Sequence, residues 1–423
     1  MNQALPVIPH IIDQHAEEAA FLWQLRNNAV NAPHYDLNDL IKLDNRVAAH
    51  LDGLAIAGNY GIGVCEATLE NPGPNEVFVS AVRAIEEKNI QWLDHLFALV
   101  NAEPKLFIGL LSAFNWVSAS SLQGTVALLL SSQDALKQFV GIEACVMHRV
   151  DPGTSLEQSL NQQTDSRLAA RALRAAAELG RVDLLAICER YLENQEEACR
   201  FWAAWSAALL GNRKYAVNTL YTLAQTNNPY QEQSLTLILK LLPVADAHAL
   251  LKKLAQDNAN LRLVIQGAGI VGDPYYIPWL IKQMDDPAVA RLAGESFSFI
   301  TGLDLAYLDL EKDAPQDTVA GPSDNPEDND VSVDTDEDLP WPDASKIQDW
   351  WNVNKQTFIT GQRYFMAQQI SHNQCLKTLH EGYQRQRKAA ALYISMLAPG
   401  TPLFPTSAPG WRQKRWLEKM KST

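Results

Sequence analysis

The residues whose spacing most resembles a chemical motif are the glycines of Gly267-Ala-Gly269-Ile-Val-Gly272, which fit the pattern G-x-G-x-x-G. In a dinucleotide-binding fold this pattern follows a strand and brings the backbone close to a pyrophosphate at a helix N-terminus. Here the residues before it, ADAHALLKKLAQDNANLRLVIQ, have the apolar spacing of a helix. We therefore interpret Gly272 as a helix stop and predict no nucleotide cofactor.

Three further patterns fall short of a reactive site. The segment DTDED at 334–338 alternates carboxylates as a calcium loop does, but it lacks the glycine and the terminal glutamate of an EF-hand. The segment GESFS at 294–298 lacks the second glycine of a nucleophile elbow. The nine histidines are dispersed, and none has the H-x-x-x-H or H-E-x-x-H spacing of a zinc site. We therefore predict a protein that is not an enzyme and holds no metal.

The charge of the chain restricts its partners. The net charge is −14, from 35 Lys and Arg against 49 Asp and Glu, which argues against a large nucleic-acid or anionic-membrane surface. Eleven of the carboxylates lie between Glu311 and Asp338 beside a single lysine. This segment is also poor in apolar residues, so we expect it to be a disordered, self-repelling linker.

Other features of the composition indicate a cytoplasmic location. The five cysteines form no C-x-x-C pair, which is typical of reduced and mostly buried thiols. The first residues lack the basic and apolar regions of a secretory signal. No apolar run approaches the ~18 residues of a membrane span, so no membrane partner is expected.

The elements that must position any site form a repeat. An Ala- and Leu-rich helix, a short break and a second apolar helix recur at intervals of 28 to 33 residues. The breaks fall at Asn89, Val117, Val150, Gly180, Gly211, Pro243, Gly272 and Gly302. Because one helix pair cannot bury its own apolar face, such copies stack. We predict an all-α fold, a HEAT-like α-solenoid of seven to eight helix pairs with helical additions at both ends.

Helices are also predicted outside the repeats. Two are expected at His10–Asn31 and Leu37–Ala57, the second capped by Asp36 with Asp39 three residues later. After the acidic segment, one helix is expected to open at LPWPDASKIQDWW, and a long one to cover SHNQCLKTLHEGYQRQRKAAALYISML. The expected segments are an N-terminal cap (1–70), the solenoid (71–310), the acidic linker (311–338) and a C-terminal helical segment (339–423).

Aromatic residues at the start of one second helix are candidate partner contacts. Tyr275, Tyr276 and Trp279 flank Pro278 in GDPYYIPWLIKQM. If the apolar residues at 277, 280 and 281 face the core, Tyr276 and Trp279 should project outward. Second helices line the concave face of a HEAT-like array, where exposed Tyr or Trp would anchor a partner. Core packing is the alternative.

The basic C-terminal end supplies a second set of candidates. From Cys375 onward there are nine bases and two acids. Arg385, Arg387 and Lys388 follow one another closely in YQRQRK. We interpret them as contacts to the acidic linker or to an acidic partner, with a solvated helix face as the alternative and nucleic-acid contact less favoured.

Three blocks of the sequence resemble one family. They are APHYDLNDLIKLDNRVAAHLDGLAIAG, GDPYYIPWLIKQMDDPAVARLAGESFSFITGLDL, and LPWPD…WW…GQRYF…GYQRQRKAAALYISMLAPGTPLF. Together they are similar to a group of bacterial HEAT-repeat proteins that are often encoded beside type VI secretion genes. The resemblance implies a protein that handles a secreted effector or spike component, as adaptor, chaperone or immunity factor. It implies no catalytic residues.

The predicted function is therefore protein binding along a helical array. Two alternatives come from other users of similar repeats: DNA glycosylases, which hold duplex DNA on a basic concave face, and bilin lyases. The bases of this chain are few within the repeats, and the blocks outside the repeats point away from bilin lyases.

Overall fold

A computed structural model describes residues 7–161, 165–315 and 334–421. Almost all regular structure in these ranges is α-helix, which confirms the predicted all-α class. Within them, no helix combines the length and the apolar character needed to cross a bilayer.

The helices divide by position along the chain. Those before residue 211 are α1 (Pro9–Ala29), α2 (Leu37–Ile56), α3 (Asn59–Thr68), α4 (Pro74–Glu86), α5 (Ile90–Ala102), α6 (Phe107–Trp116), α7 (Thr125–Leu130), α8 (Ala135–Met147), α9 (Ser155–Asn161), α10 (Ser166–Glu178), α11 (Leu185–Arg190) and α12 (Glu197–Leu209). Those that follow are α13 (Tyr215–Leu223), α14 (Gln231–Leu241), α15 (Val244–Leu254), α16 (Leu261–Val271), α17 (Ile277–Gln283), α18 (Ala290–Thr301), α19 (Ala344–Asn354), α20 (His372–Glu381), α21 (Gln384–Leu397) and α22 (Gly410–Lys421).

Short elements connect these helices. The 3₁₀ turns are Pro104–Leu106, Val182–Leu184, Tyr191–Glu193, Asn258–Asn260, Pro274–Tyr276 and Lys355–Thr357. A small antiparallel hairpin joins β1 (Tyr364–Phe365) to β2 (Gln368–Gln369), with Tyr364 opposite Gln369.

The chain forms two compact units. Unit 1 comprises Met1–Gly211 and His380–Thr423, and unit 2 comprises Asn212–Leu379. These bounds differ from the four segments expected from the sequence. The expected C-terminal segment (339–423) is divided, with residues up to Leu379 in unit 2 and those from His380 in unit 1.

The predicted breaks all lie at the ends of first helices. In unit 1, α4, α6, α8, α10 and α12 pack against one another in chain order, and in unit 2 α14, α16 and α18 do the same. Most of these helices end in a residue with left-handed backbone, at Lys88, Arg149, Gly180, Gly211, Gly272 and Gly302. At these six positions a residue with positive φ ends the helix, whereas α6 and α14 end at Val117 and Leu242, whose φ is negative.

The glycine motif lies in a helix. Residues 264–266 belong to α16, and Gly272 is the C-cap of that helix, with φ 72°. The strand that a dinucleotide-binding fold needs before these glycines is therefore replaced by helix, as the spacing predicted.

Predictions outside the repeats are partly confirmed. Helix α2 begins at the predicted capping box, in which Asp36 accepts a hydrogen bond from the Asp39 N–H. The predicted long C-terminal helix is wrong, because it is interrupted after Glu381 and forms α20 and α21. The predicted second helix after Gly302 is also wrong, since residues 305–309 form turns.

The predicted acidic linker is described only at its ends, because residues 316–333 lie outside the described residues. At the first end, Glu311 forms an isolated β-bridge with Pro342, and the Lys312 N–H donates to Trp341 O at 2.8 Å. At the second end, Asp336 is only 5% exposed. For these described ends the expectation of disorder is wrong.

In unit 1 a C-terminal segment crosses the ends of first helices. The Leu403 N–H donates to Glu178 O at 3.0 Å, at the end of α10. A β-carbon at Gly180 would come within 2.1 Å of Gly400 O, so glycine here provides room as well as left-handed backbone. The side chain of Arg412 donates to the carbonyls of Asn115 and Val117, both at 2.8 Å, and so caps the end of α6.

In unit 2 the hairpin has the same role. The Tyr364 N–H donates to Gly272 O at 2.8 Å, and a β-carbon at Gly272 would come within 2.1 Å of Tyr364 O. The Arg363 side chain donates to the carbonyls of Leu239 and Leu242 at 2.7 and 2.9 Å, which caps the end of α14. Helix ends that lack intrahelical partners are thus satisfied by residues from later in the sequence.

The five cysteines are buried and free of disulfides, as predicted for structural thiols. Burial raises the pKa of the Cys65 thiol to about 12 and that of the Cys375 thiol to about 11. Thiols of this kind are poor nucleophiles at neutral pH.

Candidate functional site

The candidate site is built on the turn that follows α16. Gly272 ends the helix, and Asp273 caps the 3₁₀ turn Pro274–Tyr276 by accepting a hydrogen bond from the Tyr275 N–H at 2.9 Å. Proline fits the first position of such a turn because it has no N–H to satisfy. The sequence GDPYY therefore fixes the direction in which the chain leaves α16.

The Asp273 carboxylate is the centre of this turn and is only 1% exposed. It also accepts from the Gly361 N–H, at 3.0 and 3.1 Å to its two oxygens. The Nε2 atom of His248, on α15, lies 3.1 Å from Asp273 Oδ2. A buried carboxylate that accepts from backbone N–H groups of two different segments is a rigid feature, because losing these donors would leave a costly unpaired charge.

Aromatic rings surround this turn. The ring centroid of His248 lies 5.1 Å from that of Tyr275 and 4.8 Å from that of Tyr276, and the two tyrosine rings are 5.3 Å apart at 81°. Trp279 continues the row, 6.5 Å from Tyr276. We call His248, Tyr275, Tyr276 and Trp279 the Tyr275 patch.

The members of the patch differ in exposure. Tyr275 is 61% exposed, whereas Tyr276 and Trp279 are half-buried and pack against the apolar core of unit 2. Burial, together with the nearby Asp273 carboxylate, raises the pKa of the Tyr276 hydroxyl. The patch therefore has one exposed ring, that of Tyr275, beside the two half-buried rings of Tyr276 and Trp279.

The prediction for these aromatic residues is partly wrong. The apolar residues 277, 280 and 281 do face the core, as assumed. Tyr276 and Trp279 nevertheless do not project freely into solvent. They lie beside the apolar face of the helix, and side chains in that position are half-covered by neighbouring elements. Tyr275 is the residue that projects.

The prediction for the basic residues is wrong for Arg387. This side chain has 0% exposure, and it donates to Gln384 Oε1 and, at 2.5 Å, to Gln413 Oε1. Burial lowers its pKa to about 10. A guanidinium enclosed in this way cannot contact a partner at the surface.

The two other basic candidates contact the loop between α1 and α2. Arg385 donates to Asn31 O at 3.2 Å, and Lys388 donates to Asn31 Oδ1. The Gln384 N–H donates to Tyr35 O at 2.8 Å, so the first turn of α21 is docked on this loop. Contact of these bases with the acidic linker or with an acidic partner stays a prediction.

Sequence reasoning missed the arginines that do hold the acidic segment. Arg262 of α16 donates to both carboxylate oxygens of Asp336, at 2.9 and 2.6 Å. Arg291 of α18 donates to Asp334 Oδ2. A signal was present, because both arginines are the second residue of a first helix and lie 29 positions apart, one period of the repeat.

A histidine pair was also missed. His15 of α1 and His50 of α2 approach with their Nδ1 atoms 3.0 Å apart, and the lack of a side chain at Gly53 makes room for the His15 ring. Within the described ranges, no group of three or more His, Cys, Asp or Glu side chains is arranged to hold a metal ion.

The Tyr275 patch is suited to recognition. The exposed ring offers apolar area, its hydroxyl can form a hydrogen bond, and the rigid turn beneath it limits the entropy lost on binding. Such an aromatic residue on a fixed base is the kind of side chain that dominates protein interfaces.

Comparison of the chain with protein-family models, with curated proteins and with solved structures gave no match. The family resemblance in the three sequence blocks therefore stays a prediction.

Proposed function

We propose that this protein is a cytoplasmic, non-catalytic α-solenoid of the HEAT-like type that binds another protein. The serial packing of first helices within each unit supports a repeat architecture, since each helix buries its apolar face against the next copy. Proteins of this type use extended helical surfaces to hold macromolecular partners.

The observation that carries the proposal is the exposure of Tyr275 on a turn fixed by the buried Asp273. A large aromatic ring in water is unfavourable by itself, and its rigid support means that a partner gains contact area at little entropic cost. Removing one such ring from an interface typically costs on the order of 1–2 kcal/mol of binding free energy.

The sequence resemblance supports a more specific proposal. We propose that the partner is a type VI secretion effector or spike component, and that this protein acts on it as adaptor, chaperone or immunity factor. Each of these roles requires a stable complex with the partner and no chemical step.

Affinity capture tests the proposed function. Tagged wild-type protein and a Tyr275→Ala variant are used to capture proteins from host extract, followed by quantitative mass spectrometry. We expect at least one protein to be enriched by the wild type and reduced about tenfold with Tyr275→Ala.

A matched control is available in the same unit. Tyr307 lies in a surface turn and is 87% exposed, so Tyr307→Ala removes the same side chain outside the patch. Equal enrichment by all three proteins would contradict a role for the Tyr275 patch.

A further inference from the structure

The contact between unit 2 helices and the end of the acidic segment has the chemistry of a recognition site. Arg262 holds Asp336 in a bidentate pair, and its Nη2 atom also donates to Thr335 Oγ1 at 3.2 Å. Arg291 holds Asp334 and stacks on Trp341, with 4.6 Å between the guanidinium carbon and the ring centroid. Two carboxylates two residues apart thus meet two arginines of neighbouring helices.

The positions of the arginines reinforce their preference for anions. Each is the second residue of its helix, α16 or α18, and these helices pack against each other. The unpaired N–H groups of a helix N-terminus carry partial positive charge, which adds to that of the guanidinium groups. Planar guanidinium groups match carboxylates in a bidentate geometry.

The acidic segment is attached to the helices mainly by its side chains. Around the two aspartates the backbone hydrogen bonds are local, from the Glu337 N–H to Asp334 O and from the Leu339 N–H to Asp336 O, both at 3.1 Å. Asp336 is almost completely buried by the contact, whereas the Arg262 side chain remains 41% exposed. Burial raises the pKa of the Asp334 carboxyl group, but the hydrogen bonds from Arg291 and the Asp336 N–H, together with the positive charges of Arg291 and Arg262, outweigh this, so the pKa is lowered.

We propose that Arg262 and Arg291 form a binding surface for an acidic peptide segment with the spacing D-x-D, which the chain itself occupies with Asp334-Thr335-Asp336. The occupant that competes for this surface is an acidic segment of a partner protein. The chain's own segment is tethered at an effective concentration of about millimolar, so it sets the affinity that a competitor must exceed. This surface shares no residue with the Tyr275 patch.

A peptide added in trans tests the proposal. The probe is a fluorescent peptide with the sequence VDTDEDLP, which corresponds to residues 333–340, and its binding is followed by anisotropy. We expect a full-length Asp334→Asn/Asp336→Asn variant to bind it at least about tenfold more tightly than the wild type, because the tethered competitor is weakened. Adding Arg262→Gln and Arg291→Gln should reduce that affinity at least about tenfold.

Controls separate recognition from a purely structural contact. A peptide with both aspartates at the matching positions changed to asparagine should bind at least about tenfold less tightly. If the Asp334→Asn/Asp336→Asn variant keeps its helical circular dichroism and binds the two peptides equally, the proposal is overturned.

A second measurement uses the wild-type protein and does not depend on the folding of any variant. The VDTDEDLP peptide is added at several times the effective concentration of the chain's own segment. It should then increase hydrogen exchange at residues 334–339, because it displaces them from the two arginines. Unchanged exchange at about 10 mM peptide would show that the contact is a fixed part of the fold.

Discussion

The Tyr275 patch and the YQRQRK segment were both predicted to contact a partner, but the structure exposes a candidate residue in the first and buries one in the second. At the first, a capped turn leaves Tyr275 in solvent. At the second, Arg387 is enclosed among amide groups of unit 1. The difference shows that the polarity of a side chain does not decide its exposure. Arg387 can be buried because Gln384 and Gln413 supply hydrogen-bond acceptors for it.

The turn under Tyr275 should be the most sensitive point. Gly272→Ala forces a β-carbon within 2.1 Å of Tyr364 O and places alanine at φ 72°, so we expect a loss of about 4 kcal/mol in the free energy of unfolding. Chemical denaturation followed by circular dichroism measures this loss.

Gly361→Ala is the control, because Gly361 also has positive φ but a β-carbon there would meet no atom within 4 Å. It should cost about 1 kcal/mol. Equal losses for the two variants would mean that the hairpin does not press on Gly272.

Substitutions in the YQRQRK segment should change the free energy of unfolding. Arg387→Met removes the donor to two buried glutamine oxygens, and we expect a loss of about 3 kcal/mol in the free energy of unfolding. Arg385→Met removes the hydrogen bond from a half-buried side chain to Asn31 O and should cost less than about 1 kcal/mol. If Arg387→Met is as stable as the wild type, a structural role for this side chain is contradicted.

A histidine beside another buried arginine should give unit 1 a pH dependence. Burial, and next the positive charge of Arg412, lower the pKa of His148 to about 4. The unfolded chain therefore binds a proton below about pH 6.5 that the folded protein does not bind until about pH 4. Stability should fall by about 3 kcal/mol as the pH is lowered through this window.

The variant His148→Gln removes the titrating group, so it should reduce this slope of stability between pH 6.5 and 4. Urea unfolding at half-unit pH intervals measures the slope for both proteins. Parallel curves for wild type and variant would assign the pH dependence to other groups.

The smallest change in stability is expected at Tyr275, where the effect should be on binding. Tyr275→Ala removes an exposed ring and should alter the free energy of unfolding by less than about 0.5 kcal/mol. The alanine variants of the half-buried Tyr276 and Trp279 should lose about 2 kcal/mol, since both side chains pack on the core. Only Tyr275 therefore separates recognition from folding.

The features that could be predicted are those that depend on local sequence. The helix ends at Gly180, Gly211, Gly272 and Gly302 follow from the freedom of glycine at positive φ. The start of α2 follows from a cap that lies three residues from its partner. In such cases the residues that decide the structure are neighbours in sequence.

The features that could not be predicted depend on distant residues. The hairpin turn at Met366 and Ala367 has positive φ at both positions, where Asn-Gly is the usual choice. It is held because the N–H groups of these two residues donate to Phe299 O and Ile300 O of α18. The enclosure of Arg387 likewise depends on Gln413, in a different helix.

Site-specific photo-crosslinking is the most direct test of the proposed function. A photoreactive phenylalanine analogue replaces Tyr275 in one variant and Tyr307 in another, and both are irradiated in host cells. We expect a discrete covalent adduct with a partner protein from position 275 and none from position 307. Adducts of equal yield from both positions, or none from position 275, would contradict a binding surface at Tyr275.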